Sequence, residues 1–191
     1  MNLPLKFQFQ PFPELQTERL ILRRILEADW ENILAFRSDP DVMRYIPRPL
    51  AKDKQDVLDF LKKIDENIVS NEQINWGIST KEAPERLLGM IGFFRPQKEN
   101  ARAEIGYMLG PEHQGKGYMT EAMAAAERYG FETMQLHSIE AVIDPANAAS
   151  ERVLQRCGYV KEAHFRENYF DNDEWLDSVI YSKLRTPNSE L

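Results

Sequence analysis

Hydrophobic residues in this chain recur with two different periods, and the switches between them mark out the elements. Leucine and isoleucine positions between Arg19 and Ile25 read as a strand. Asp29 to Arg37 reads as a helix carrying Trp30, Ile33, Leu34 and Phe36, and Pro40, Pro47 and Pro49 punctuate the region after it. From about Lys52 to Val69, the residues Val57, Leu61, Ile64 and Ile68 stand three or four apart, which predicts a longer helix with one buried face. Ile74, Trp76 and Ile78 alternate as on a half-buried strand. A second strand spans roughly Leu87 to Phe94, with the charged stretch Lys81 to Arg86 as the hairpin turn between them.

Beyond a turn at Lys98 to Arg102, Ala103, Ile105, Tyr107 and Leu109 project to one face of a strand, and Glu104, Gly106 and Met108 to the other. The next helix carries Met119, Ala122, Met123, Ala126 and Gly130 along one stripe, small enough to lie close against a sheet. Ser138 to Ile143 is a further strand, Asn147 to Cys157 a helix with Gly158 as its stop, and Tyr159 to Phe165 and Trp175 to Leu184 are the last strands. Residues 1–16, with Pro4, Pro11 and Pro13 among Phe7, Phe9 and Phe12, form an extended leader whose aromatic residues pack on the domain or on a second subunit. Residues 17–185 form one domain, and 186–191 a frayed tail.

The richest chemistry lies between the strand ending at Leu109 and the alanine-rich helix, in Gln114, Gly115, Lys116, Gly117, Tyr118 and Met119. Two glycines let the backbone approach a ligand, and the start of the helix aims unpaired N–H groups and a partial positive charge at the turn. The segment is therefore an anion site. It is not the phosphate loop of an ATPase, since no Ser or Thr follows Lys116, and it is not a dinucleotide fingerprint, since Thr120 stands where the third glycine belongs.

Four segments follow one another in this order: Thr17 to Arg23, Ala103 to Leu109, the Gln114 to Met119 loop, and Asn147 to Val153 running on to Cys157, Gly158 and Tyr159. Together they resemble the GNAT acetyltransferases, closest to the branch containing the RimJ and RimL ribosomal-protein N-acetyltransferases. The resemblance implies a mixed α/β fold: a mostly antiparallel, twisted sheet of about seven strands flanked by helices. It implies acetyl-CoA as co-substrate, with its pyrophosphate on the main chain of Gln114, Gly115, Lys116, Gly117, Tyr118 and Met119, and its pantetheine arm paired to the backbone of Met108 and Leu109. Met119 stands where the family more often has glycine or alanine. Lys116 is either a point charge near phosphate or a solvated lysine. Asn147 matches a residue that hydrogen-bonds the pantetheine, and it also reads as a helix N-cap.

Ser150 lies one turn further on, where the resemblance to RimL suggests a hydroxyl able to protonate the leaving thiolate; a plain helix serine is the other reading. RimL has a glutamate beyond its penultimate strand, and counting from Gly158 puts Tyr169 there, as an acid, a substrate-positioning hydroxyl or a packing residue. Glu104 is the first candidate for accepting the amine proton through water. It reads equally as an edge glutamate paired to a nearby arginine such as Arg102. The acceptor is expected to be a protein N-terminal α-amine, such as that of a ribosomal protein, with small amines such as amino sugars, antibiotics or polyamines as the alternative. Met43 to Leu50, Trp76 and the Tyr169 loop are expected to bound it. A non-catalytic acyl-CoA sensor would need the same glycine loop.

Composition narrows the setting. A chain of 191 residues, 42% hydrophobic and 29% charged, suits one globular domain. Its net charge of −7 argues against nucleic acid as a partner; it either attracts basic substrates or only maintains solubility. The single cysteine excludes an internal disulfide and fits a reducing cytoplasm. No long apolar run predicts a membrane span, and either a monomer or a homodimer is compatible. His113, His137 and His164 fit no zinc pattern, so no metal is expected. Cys157 reads as a small buried hydrophobe.

Overall fold

The computed structural model describes residues 5–171 and 173–186. The strands are β1 (Leu15–Gln16), β2 (Leu20–Arg23), β3 (Ile74–Thr80), β4 (Gly89–Gln97), β5 (Arg102–Leu109), β6 (Ser138–Ile143), β7 (Val160–Asp171) and β8 (Glu174–Leu184). The helices are α1 (Trp30–Ser38), α2 (Pro40–Met43), α3 (Lys54–Val69), α4 (Tyr118–Arg128) and α5 (Ala148–Arg156). They flank a single sheet of order β1-β2-β3-β4-β5-β6-β8-β7, antiparallel except where β5 meets β6. Among the described residues no helix is long and apolar enough to cross a membrane.

Local chemistry explains most of these boundaries. Asp53 caps α3 by accepting from the Asp56 N–H at 3.1 Å, and Val57, Leu61, Ile64 and Ile68 form its buried face. Asp39 caps α2 in the same way, ahead of Pro40 at the first helical position. Gly158 ends the α5 region with φ +81°, a conformation that glycine alone adopts without strain. The stripe of Met119, Ala122, Met123, Ala126 and Gly130 is buried, and Gly130 lies so close to the sheet that a Cβ would come within 2.8 Å of the Phe93 ring.

Three expectations change. β3 is buried on both faces, not one, with Asn75 and Ser79 interior beside Ile74, Trp76 and Ile78. It is an inner strand with helices on either side, so alternation understates its burial. The leader packs on the domain, one of its two expected arrangements, but it also supplies a regular element. Phe9 is 1% exposed, its N–H donates to Asn71 Oδ1 at 2.8 Å, and Leu15 and Gln16 pair with Leu22 and Ile21 to add an eighth strand. Finally, β7 continues past Phe165 through Tyr169 to Asp171, because a bulge with Glu167 at φ +48° absorbs the extra residues. The expected tail beyond Thr186 lies outside the described residues.

Removing the Phe9 ring leaves a cavity under the sheet. Phe9→Ala is expected to lower unfolding free energy by about 3–5 kcal/mol, read by urea denaturation. A loss below about 1 kcal/mol would place the leader outside the cooperative unit.

Candidate active site

The sheet opens along one seam. β5 and β6 pair at Arg102 with Ser138, Ala103 with Ile139 and Glu104 with Glu140, and nowhere beyond. β5 stays with β4 as far as Leu109, whereas β6 stays with β8 as far as Ile143. From Ile105 to Leu109, therefore, the β6-facing main chain of β5 has no strand partner. An exposed strand edge accepts an extended ligand by main-chain pairing. Met108 and Leu109 lie along it, both half-buried. The N-terminal turn of α5 stands against the same opening, where the Tyr107 phenol donates to the Ser150 carbonyl at 3.4 Å. Burial pushes that phenol up to about 12.

The glycine loop closes one end of the seam. Gln114 turns its side-chain amide back onto the Leu109 carbonyl at 3.3 Å, a contact beyond the backbone role expected of it. Gly115 and Gly117 have φ +75° and +80°. A Cβ on Gly115 would meet nothing within 4 Å, so backbone conformation rather than space requires glycine there. No side chain caps α4, and the loop from Gln114 to Gly117 is exposed. The first-turn N–H groups thus face an open turn, as an anion site needs. Lys116 contributes its carbonyl to the fold of the loop. Met119 is buried in the core, so only its main chain is available at the helix start.

Sequence patterning missed the side chains that shape this loop. The Arg19 guanidinium donates to the Lys116 carbonyl at 3.0 Å, binds Glu121 through Nε and Nη2 at 2.7 Å, and lies 4.9 Å above the Tyr118 ring. Glu121 also accepts from the Arg19 N–H and the Thr17 hydroxyl. These bonds hold its carboxyl below the usual carboxylate range against the opposing effect of burial. Segment Thr17 to Arg23 thus serves two purposes, since Arg23 instead forks onto the buried Asp29 at 2.7 and 2.8 Å. The signal lay in the spacing of Thr17, Arg19 and Arg23, but the partners are distant in sequence.

Glu104 marks the vertex of the opening, on the strand face opposite Tyr107. Its carboxylate is 17% exposed and bonded to Arg95 Nη1 at 2.8 Å. The partner expected for it, Arg102, pairs with Glu140 instead, because the register sets Glu140 beside Glu104 and leaves Arg102 to neutralise it. Burial raises the Glu104 pKa above the ordinary carboxylate value; Arg95 and Arg48 oppose the shift, and Glu140 adds to it. Arg48 lies on the proline-rich connection between α2 and α3, which brings that segment within electrostatic reach of the carboxylate.

On the other side of the seam, Asn147 Oδ1 caps α5 through the Ser150 N–H at 3.0 Å. The Ser150 hydroxyl is half-buried, and a hydrogen bond between it and the Tyr107 phenol partly offsets the effect of burial on that phenol. Tyr169 lies on β7 opposite Leu176, and burial with nearby Asp144 and Asp171 raises its phenol pKa, so the phenol is protonated at neutral pH. The site therefore gathers main chain from β5 and the glycine loop, Ser150 from α5 and Glu104 from the opposite face. Trp76 does not take part. It is fully buried against Phe93, Tyr129 and Phe12, with its indole N–H donated to the Pro13 carbonyl at 2.7 Å, so it cannot wall an acceptor site as expected.

The sequence model of the acetyltransferase (GNAT) domain matches residues 19–160, from Arg19 to the start of β7. The chain belongs to the GNAT acetyltransferase family. It is 34% identical to the Bacillus subtilis N-acetyltransferase YoaA over 174 residues, 91% of this chain and 98% of YoaA. It is 38% identical to the Escherichia coli ribosomal protein uS5 alanine N-acetyltransferase over 84 residues, 44% of this chain and 43% of that one. A GNAT acetyltransferase structure from Bacillus anthracis superposes with a TM-score of 0.80 at 32% identity, covering 90% of this chain and 98% of that one. RimL in complex with coenzyme A shares the fold, with a TM-score of 0.81 at 16% identity over 90% of this chain and 98% of its own.

As a GNAT acyltransferase, the protein has little use for its cysteine as a nucleophile. Burial and Glu127 push the Cys157 thiol up to about 11, which keeps it protonated at neutral pH. Among the described residues no group of three or more His, Cys, Asp or Glu could hold a metal ion.

Gly117→Val forces a branched side chain into a left-handed position, so acetyl-CoA affinity is expected to fall at least tenfold, about 1.4 kcal/mol, by calorimetry on folded protein. Arg19→Ala should raise the acetyl-CoA KM several-fold with a smaller change in kcat. Adding Glu121→Ala should cost little more, since the two act as one unit.

Proposed function

We propose that the enzyme transfers the acetyl group of acetyl-CoA to the α-amine of a protein or peptide N-terminus. One observation carries this reading: Glu104, a shielded carboxylate, is the last residue of β5 paired to β6, so it stands where the ligand-accepting edge begins. Two left-handed glycines, an uncapped helix start and an unpartnered strand edge fit a cofactor with a pyrophosphate and an extended arm. Bound acetyl-CoA supplies an activated thioester. RimL, which shares the fold, is described as an alpha-N-protein acetyltransferase, and the uS5 enzyme modifies a ribosomal-protein alanine.

In this reading Gln114 to Met119 hold the pyrophosphate, while Met108 and Leu109 pair with the arm and Asn147 hydrogen-bonds it. Main-chain N–H groups of β5 polarise the carbonyl. Glu104 takes the amine proton through water, and Ser150 holds a proton for the departing sulfur, with Tyr169 as the competing donor. Magnitudes favour an α-amine. Deprotonating a lysine amine of pKa ~10.4 at pH 7 costs about 4.6 kcal/mol, against about 1–1.4 kcal/mol for an α-amine of pKa ~7.7–8.0. One carboxylate, itself needing to be ionised, suits the smaller demand.

Peptides with a free N-terminus are expected to gain acetyl while N-terminally blocked, lysine-containing counterparts do not, as located by mass spectrometry. Modification on lysine, or brisk turnover of a small amine alone, would reassign the acceptor. Ser150→Ala should lower kcat with little change in acetyl-CoA KM, because the proton is needed chiefly in the transition state. Full kcat in that variant beside an impaired Tyr169→Phe enzyme would give the role to the tyrosine.

A further inference from the structure

Arg95 sits on β4 with φ +45°, a left-handed conformation disfavoured for a residue with a Cβ. It lies in the break of the ladder where Phe94 pairs with Glu104 but Gln97 pairs with Arg102. The extra residue is a bulge, and bulges re-aim side chains, often next to active sites. Here it brings the Arg95 guanidinium to within 2.8 Å of the Glu104 carboxylate. The pair is lopsided: the arginine side chain is 68% exposed and the carboxylate 17%. So exposed an arginine contributes little stability through an ion pair, and the backbone strain works against it. Stability does not account for the arrangement.

The charges facing Glu104 come from three elements. β4 supplies Arg95, the connection between α2 and α3 supplies Arg48, and β6 supplies Glu140, which is already bonded to Arg102. The exposed Arg48 side chain makes no hydrogen bond or ion pair with the described residues, although it lies within electrostatic reach of Glu104 and Arg37. Arg95 is bonded to the carboxylate, Arg48 adds positive charge within electrostatic reach of it, and Glu140 beside it is neutralised by Arg102.

We propose that Arg95 is a specificity-determining residue: its guanidinium caps Glu104 until an acceptor displaces it, and with Arg48 it favours amines that carry a carbonyl or carboxylate beside the nitrogen over polycationic amines. The proposal rests on the reading that Glu104 receives the acceptor's proton. An incoming ammonium competes with Arg95 for the same carboxylate. A peptide N-terminus compensates by offering its first main-chain carbonyl as an acceptor for the freed guanidinium. A polyamine offers a second cation in place of that carbonyl, so the displaced guanidinium gains no acceptor.

Two variants test it. Arg95→Gly relieves the left-handed backbone and removes the charge, and Arg95→Lys keeps the charge without the planar fork. Without substrates, the Glu104 carboxyl followed by carbon-13 NMR should titrate at higher pH in Arg95→Gly, since a cation that favours the ionised form is gone, and Arg95→Lys should recover part of the shift. The ratio of kcat/KM for an aminoacyl amide to that for spermidine should fall at least tenfold in Arg95→Gly. An unmoved midpoint or an unchanged ratio overturns the proposal. If the parent enzyme proves inactive on peptides, the α-amine reading falls, while the NMR midpoint and the small-amine ratio still decide the role of Arg95.

Discussion

The parting of β5 from β6 after Glu104 is the constraint on which the rest of the structure depends. Main-chain N–H and C=O groups inside a sheet are normally paired, and leaving a run of them open in the middle of one is costly. The fold confines that cost to one stretch. β5 is bonded to β4 along its other edge, and β6 is bonded to β8 along its own. α5 stands over the opening, tied to β5 through Tyr107. Because the seam opens inside the sheet, an extended ligand can add to β5 there, and the residues that meet it are determined by register.

The glycine loop has a comparable economy. Its conformation relies on two left-handed glycines, which favour the shape locally but do not hold it against alternatives. The clasp of Thr17, Arg19 and Glu121 does that, joining the chain before β2 to the first turn of α4 and to the Lys116 carbonyl. Loop and helix start are thus preorganised from outside the loop, which leaves the N–H groups of the first α4 turn free for an anion. Electrostatics around Glu104 follows a different logic from the surface as a whole. The chain carries a net charge of −7, yet arginines border this carboxylate and neutralise its neighbour. Net charge is therefore a poor guide to which acceptors the site admits.

The amino-acid sequence by itself determined the elements and the family. Helical spacing in Val57, Leu61, Ile64 and Ile68, alternation in Ala103 to Leu109, and the small-residue stripe after Gly117 are local properties that the structure keeps. The glycine loop was legible because it joins a strand to a helix with positive-φ residues at set positions, and Asn147 because capping is a matter of three residues. Only the tertiary structure decided partners. Glu104 bonds Arg95 instead of Arg102 because a bulge in β4 and the parallel register with β6 reassign the arginines. Trp76 is core because the leader folds back across the sheet, and Arg19 reaches the glycine loop because β2 runs beside α4. Spacing along a chain sets which way a side chain points from its own element. What it meets depends on register and packing between segments up to about a hundred residues apart, where local periodicity carries no information.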